Sequence, residues 1–286
     1  MSVQYGNLHV DERYSAILEP NLYYNSVFAP GKTFTDKYEI GPSGGIYVHQ
    51  LATQAVTVGT PGRDFSDVTA SDSLIQIVLN NNFQSSKKIY GVQAAAVNLN
   101  LANDNLSVAT AEVAESWNQA GLACLVTEGT TASTASAITK SNVKKMVLAA
   151  RQEIVEAKGR ADVLLASPAT FACILEAAGS EYVPQANEYT NRTGSVGTWL
   201  GLNVVECAGL SASSGKYYNA AGSLTTASFS AVDFIMYNKE AFSIVSNFDV
   251  ARIIDSENFA GSKAQVEMNS GFKVTSAAQV VVKLHS

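Results

Sequence analysis

The chain has 286 residues, 47% of them hydrophobic and 15% charged, with 25 acidic against 19 basic side chains and a formal net charge of −6. This length can bury a sizeable core in one or two domains, and the low charged fraction fits either a surface covered by neighbouring molecules or a globular protein rich in small residues. The acidic balance excludes a protein that holds nucleic acid through a strongly basic surface, so any such contact should be weak and independent of sequence.

Residues 1–45 are rich in aromatic and aliphatic side chains but are repeatedly interrupted by proline and glycine. The segment is too apolar to be disordered by composition and too interrupted to form a long helix. We therefore expect an N-terminal arm that lies along another surface, either of its own chain or of a neighbour. Met1 to Tyr5 show no basic region followed by an apolar one, so no signal peptide is expected.

Residues 46–92 are predicted to form an extended hairpin loop. Strand-like segments at 46–51 and 54–58 lead out, turn residues occupy 59–64, and segments at 74–79 and 88–92 lead back. Because an isolated two-stranded hairpin is marginally stable in water, its apolar residues need cover from a domain or from another subunit.

Apolar residues at spacings of three and four predict a long amphipathic helix between residues 104 and 127. Such a helix of about 24 residues would be about 36 Å long. Its apolar stripe comprises Leu106, Ala109, Val113, Trp117, Ala120 and Cys124. A linker rich in Ser, Thr, Ala and Gly follows at 128–139.

The segment 142–206 has the most regular pattern in the chain. It predicts a helix capped by Ser141 and closed by Gly159, a buried strand at 162–166, and a second helix that Ser167 and Pro168 begin. The apolar face of the first helix comprises Val143, Met146, Val147, Ala150, Ile154 and Ala157. A polar loop at 187–197 and a strand at 201–206 complete the segment.

Four strands are predicted in the last third of the chain because β-branched and aromatic residues cluster there. They lie at 232–237, 242–245, 264–268 and 278–284.

Motifs for chemistry are weak. Ser43 lies in a G-x-S-x-G pattern, but a nucleophile elbow needs a strand before the serine and a helix after it, whereas a strand follows here. His9, His49 and His285 are widely separated and are expected to be isolated surface residues. The acidic residues Asp233, Asp249, Asp255, Glu257 and Glu267 are expected to be solvated. No catalytic, cofactor-binding or metal site is predicted.

Cysteine and lysine usage point the same way. Cys124, Cys173 and Cys207 are odd in number and lie in apolar contexts, so no disulfide is expected and a reducing cytoplasm fits. The lysine groups at 87–88 and 140–145 are interpreted as solvated charges. No apolar run approaches the ~20 residues that span a bilayer, so no membrane partner is expected.

The run from Asp162 to Phe171, followed by Gly194 to Gly197 and Gly201 to Val205, resembles the major capsid proteins of tailed bacteriophages, whose shell fold is named for phage Hong Kong 97. The order of elements extends the resemblance to roughly the whole chain.

The resemblance implies an α+β fold with an N-terminal arm (1–45), an extended hairpin loop (46–92), a peripheral domain with a long spine helix (93–160 and 236–286) and an axial domain (161–235). It implies a structural, non-enzymatic protein that builds an icosahedral head shell around double-stranded DNA. The implied partners are further copies, as hexamers and pentamers, with scaffolding, portal and decoration proteins and non-specific contact with DNA. The implied location is the virion, after assembly in the host cytoplasm.

Two alternatives stay open from the sequence: an encapsulin-like compartment shell, and a soluble serine hydrolase using Ser43. Some capsid proteins of this kind crosslink through a hairpin lysine. This chain has no lysine between Lys37 and Lys87 and carries Arg63 at the predicted hairpin tip, so no such bond is expected. If Met1 is the initiator, scaffolding should come from a separate protein or be unnecessary.

Overall fold

The computed structural model describes residues 3–5, 8–10, 27–35, 37–38, 45–51, 72–91, 101–133, 136–178, 183–184 and 195–285. Three α-helices lie in these ranges: α1 (Leu101–Glu128), α2 (Val143–Glu156) and α3 (Pro168–Ala178). All three were predicted from the spacing of apolar residues. Three short 3₁₀ helices span Ala208–Ser211, Lys239–Ala241 and Ala277–Gln279.

The strands, in chain order, are β1 (Val3–Tyr5), β2 (Leu8–Val10), β3 (Gly45–Leu51), β4 (Asp72–Val78), β5 (Asn81–Tyr90), β6 (Thr130–Thr131), β7 (Val163–Ala166), β8 (Val183–Pro184), β9 (Ser195–Trp199), β10 (Leu202–Glu206), β11 (Ser214–Tyr218), β12 (Leu224–Ser228), β13 (Val232–Tyr237), β14 (Phe242–Asp255), β15 (Gly261–Val274) and β16 (Val280–Leu284). β1–β2, β3–β4 and β11–β12 are antiparallel pairs.

A seven-stranded mixed sheet in the order β6-β16-β13-β7-β10-β9-β8 forms the centre of the fold. Its middle strands are apolar on both faces, and alternate residues enter two different cores. In β7, Val163 and Leu165 face a core shared with α1, whereas Leu164 and Ala166 face a core shared with α2 and α3. The uninterrupted apolar run at this strand is therefore explained by burial on both sides.

A second, three-stranded antiparallel sheet in the order β14-β15-β5 packs against α1. Ala109 and Val113 of α1 contact Val266 of β15, and all three residues are buried. At the other end of α1, Trp117 is 8% exposed and its Nε1 donates a hydrogen bond to Ser270 Oγ at 3.0 Å. The stripe predicted for this helix is thus a packing surface.

The helix ends differ in part from the predictions. α2 begins after Asn142, not Ser141, and the Asn142 side chain accepts a hydrogen bond from Thr139 N in the preceding turn. Lys158, not Gly159, adopts the left-handed conformation at the end of α2, with φ of 60°. Gly159 is needed for space, because a Cβ there would lie 2.8 Å from Gln279 Cγ. In α3 the prediction was right, since Thr170 N donates to Ser167 Oγ at 3.3 Å.

Three further expectations need correction. β5, which includes part of the segment expected to lead back along the hairpin, pairs instead with β15. The end of the predicted polar loop is β9, which pairs with β10. The pair β11–β12 was not predicted at all. The predicted segment 54–58 lies outside the described residues.

Candidate assembly surfaces

The described part of the N-terminal arm, Val27 to Thr35, is docked on its own chain. Phe28 is 4% exposed and lies edge-on to Trp117, with ring centroids 5.8 Å apart, and 5.5 Å from the ring of Phe242. Thr35 N donates to Phe242 O at 3.0 Å, which continues the contact along β14. The expectation that the arm lies along another surface is met here by the subunit itself.

Gly121 makes this docking possible. A Cβ at Gly121 of α1 would lie 2.6 Å from Phe28 Cε2, closer than packed atoms approach. The missing side chain therefore leaves the space on α1 that the phenyl ring occupies.

The hairpin β3–β4 is covered only near its base. Ile77 is 2% exposed and lies against Gly271 of β15, where an added Cβ would be 2.6 Å from Val78 O. Further out, Tyr47 and Leu74 are 58% and 59% exposed. Large apolar side chains on a two-stranded hairpin mark a surface that needs a partner.

The hairpin also carries an exposed ion pair. His49 Nδ1 lies 2.7 Å from Asp72 Oδ2, beside the last pair of the described register, Leu51 opposite Asp72. His49 is therefore not the isolated residue that was expected, although it does not meet His285 or a metal-binding group.

Glu128, the last residue of α1, connects three elements. Its carboxylate accepts hydrogen bonds from Lys273 Nζ and Val274 N, both at 3.0 Å, and from Tyr217 OH at 3.4 Å. A carboxylate at a helix C-terminus opposes the helix dipole, and Lys273 offsets that charge. The group fixes the end of α1 to β15 and β11.

Asp233, Lys283 and His285 form a second polar cluster, at the edge of the seven-stranded sheet. Lys283 is 1% exposed; its Nζ donates to Ser136 O and Leu284 O at 2.7 Å and lies 3.9 Å from Asp233 Oδ2. His285 Nδ1 is 2.9 Å from Asp233 Oδ1. The expectations of a solvated Asp233 and an isolated His285 were wrong.

Burial is the main influence on the ionisation of this cluster. It raises the pKa of the Asp233 carboxyl, against the opposing effects of His285 and Lys283, and it lowers the pKa of the Lys283 ammonium. The sequence did contain a signal: Lys283 interrupts the apolar run of β16, and a charged residue inside a buried strand requires a polar partner.

The remaining candidates for chemistry do not converge. Ser43 lies outside the described residues, as does the side chain of His9. Across the described ranges, no group of three or more His, Cys, Asp or Glu residues is placed to hold a metal ion. Cys124 and Cys207 are buried free thiols, and Cys173 is a partly exposed one. Burial raises the pKa of Cys207 to about 12, which makes this thiol unreactive at neutral pH.

Lysines that were interpreted as solvated mostly have acidic partners. Lys87 Nζ lies 2.8 Å from Glu112 Oε1, and Lys140 Nζ lies 3.0 Å from Glu176 Oε1. No helix among the described residues is both long and apolar enough to cross a membrane.

Solved structures similar to this chain come from bacteriophages. A structure from Mycobacterium phage Che8 matches with a TM-score of 0.70 and 17% identity over 98% of both chains. The capsid structure of cyanophage P-SCSP1u matches with a TM-score of 0.69 and 11% identity, over 98% of this chain and 93% of that one. The asymmetric unit of the mature capsid of bacteriophage PhiM1 matches with a TM-score of 0.67 and 14% identity, over 96% and 91%. The chain has the fold of tailed-phage capsid proteins.

The predicted α+β fold of the Hong Kong 97 type is therefore confirmed. No family model matches the chain, and no curated protein does. The capsid fold here extends over nearly the full length of both chains in each comparison, so arm, hairpin and both sheets fall within the match. The division into peripheral and axial domains stays a prediction; β16 and α2, assigned to the first, share the sheet and core of β7 and β13.

Proposed function

We propose that this chain is a major capsid protein that self-assembles into the icosahedral head shell enclosing the double-stranded DNA of a tailed bacteriophage. The observation that carries the proposal is the match of the whole chain to phage capsid structures. Its role would be structural, with no catalytic step.

The hairpin supports assembly as the mechanism. Tyr47 and Leu74 are exposed on a two-stranded element that is marginal in isolation. Docking this element on a neighbouring subunit would bury both side chains, and each contact would have to offset the entropy lost on ordering. Many such weak contacts, summed over a shell, permit correction during assembly and stability afterwards.

Partners and location follow as parts of the same proposal. The chain would bind itself in hexamers and pentamers and would work with separate scaffolding, portal and decoration proteins. Contact with DNA would be non-specific, in keeping with a net charge of −6. The protein would assemble in the host cytoplasm and reside in the virion. Because the similar structures named above are from phages, a phage shell is favoured over an encapsulin-like compartment.

Electron microscopy of the purified chain tests the proposal. Size-exclusion fractions of the expressed protein should contain closed shells or rings of five or six subunits. The chain should be assayed alone and after co-expression with the proteins encoded beside it. A folded chain that stays monomeric at high concentration under both conditions would contradict the proposal.

A hairpin deletion tests the mechanism. Leu51 and Asp72 are opposite each other, so deleting 54–69 leaves residues 52, 53, 70 and 71 as a four-residue connection of ordinary length. The shortened chain should unfold at the same temperature as the full chain but should no longer form shells. Normal particles from the deletion variant would show that the hairpin is not an assembly element.

A further inference from the structure

Two lysines oppose each other directly on neighbouring strands. In the register of β15 and β5, Lys263 pairs with Lys88. Like charges at directly opposed antiparallel positions destabilise a sheet, so this pair breaks a local rule of sheet design. Such exceptions concentrate where a surface serves a function.

The structure brings both ammonium groups to one aromatic ring. Lys88 Nζ lies 5.9 Å and Lys263 Nζ 5.8 Å from the centroid of the Phe259 ring, which stacks at 5.0 Å with Tyr90. Tyr90 is 46% exposed. The cluster, called the lysine–aromatic tip below, stands at the far end of the three-stranded sheet.

No acidic group within the described ranges neutralises this tip. Asp255 and Glu257 belong to the same turn, yet neither forms a salt bridge with Lys88 or Lys263. The ring attracts both cations but leaves their mutual repulsion in place. An anionic partner from outside would remove that repulsion and cover the two rings.

We infer that the lysine–aromatic tip docks the acidic hairpin of a second copy of this chain. Between Gly45 and Val78 the sequence has Asp64, Asp67 and Asp72 against Arg63 alone, a net charge of −2 from three carboxylates and one guanidinium. The inference rests on the proposed function, because it assigns two complementary surfaces to a head-to-tail contact between subunits.

A peptide hairpin fits this tip better than the phosphates of DNA. Phosphate binding relies on several cationic side chains with little nearby negative charge, whereas the tip has two lysines beside Asp255 and Glu257. The exposed rings also offer apolar surface, which matches the exposed Tyr47 and Leu74 of the hairpin.

Neutralising one lysine separates docking from folding. Lys88→Gln removes the repulsion within the subunit, so the melting temperature of dissociated subunits should not fall. The same substitution removes attraction to the hairpin, so the concentration needed for assembly should rise, by about tenfold for Lys88→Gln with Lys263→Gln. A purely structural role would move both measurements together and would overturn the inference.

Charge exchange identifies the partner. Lys88→Glu with Lys263→Glu should block assembly, and adding Asp64→Lys with Asp67→Lys in the same chain should restore it. Lys216→Glu, which changes an exposed lysine on β11, is the matched control and should assemble normally.

The other outcomes overturn the inference in distinguishable ways. If the unaltered chain assembles and the doubly reversed chain assembles equally well, the tip has no docking role, while the proposed function stands. If reversed shells form normally but retain less DNA, the partner is the nucleic acid. If the unaltered chain never assembles, the proposed function itself fails.

Discussion

Adding one methyl group at Gly121 should reverse its effect on stability when Phe28 is removed. In the full chain the new Cβ would lie 2.6 Å from Phe28 Cε2 and 3.1 Å from Cζ. The ring has no free direction to move, because it lies between Trp117 and Phe242 in the core around α1.

The magnitude follows from two opposing effects. Overpacking a filled site costs about 1–3 kcal/mol. Replacing glycine by alanine inside a helix gains about 1 kcal/mol. Gly121→Ala alone should therefore be destabilising by up to about 2 kcal/mol. In a Phe28→Ala background the clash is absent, and the same change should stabilise by about 1 kcal/mol.

Equilibrium denaturation of dissociated subunits measures all four corners of this cycle. Phe28→Ala itself should cost about 3–5 kcal/mol. If that variant is too unstable to measure, Phe28→Leu is the second background, because leucine lacks the distal ring atoms that approach Gly121. Equal stabilisation by Gly121→Ala with and without Phe28 would refute the docked position of the arm.

Three further results are expected. Trp117→Ala should destabilise the subunit by about 3–5 kcal/mol in denaturation experiments, since it removes a buried ring and its bond to Ser270, and a loss under about 1 kcal/mol would place that face of α1 in solvent. Denaturing electrophoresis of assembled particles without reductant should give one band at the 30.2 kDa monomer mass, because the hairpin has no lysine and the cysteines are free thiols. Multimers that persist with reductant would reveal another covalent bond, and multimers that vanish with it would implicate the cysteines. A thiol reagent at pH 8 should modify Cys173 alone in the folded subunit and all three cysteines after unfolding, because burial raises the pKa of both Cys124 and Cys207; rapid labelling of Cys207 in the folded state would contradict its buried position.

Local sequence was enough to predict the elements that are stabilised by their own pattern. The stripe of α1 and the apolar run of β7 follow directly from periodicity and burial. β5 could not be predicted in its true place. Its sequence is largely polar, with Phe83 and Ile89 as its apolar contacts, and its partner β15 lies in a distant part of the chain. Strand pairing of this kind depends on the partner more than on intrinsic preference.

The candidate surfaces show the same limit. Sequence indicated a hairpin that needs cover, because exposed apolar residues on a two-stranded element are visible in the pattern. The opposition of Lys88 and Lys263 depends on the register between strands separated by most of the chain, which no local pattern provides. Likewise, the partner of Lys283 became visible only when β13 and β16 were paired.

The strand pairing has a consequence for how the subunit forms. β5 pairs with β15, so Asn81 meets Ser270 and Tyr90 meets Gly261, and β6 pairs with β16 across a similarly long stretch of chain. Contacts between such distant segments slow folding, because the entropy of closing a long loop is lost before the contacts form. During that delay β5 and β15 remain unpaired edges that attract one another between chains. Synthesis at low temperature or with a chaperone should therefore raise the yield of folded subunits, and the time needed to fold will set the earliest moment at which a newly made chain can join a particle.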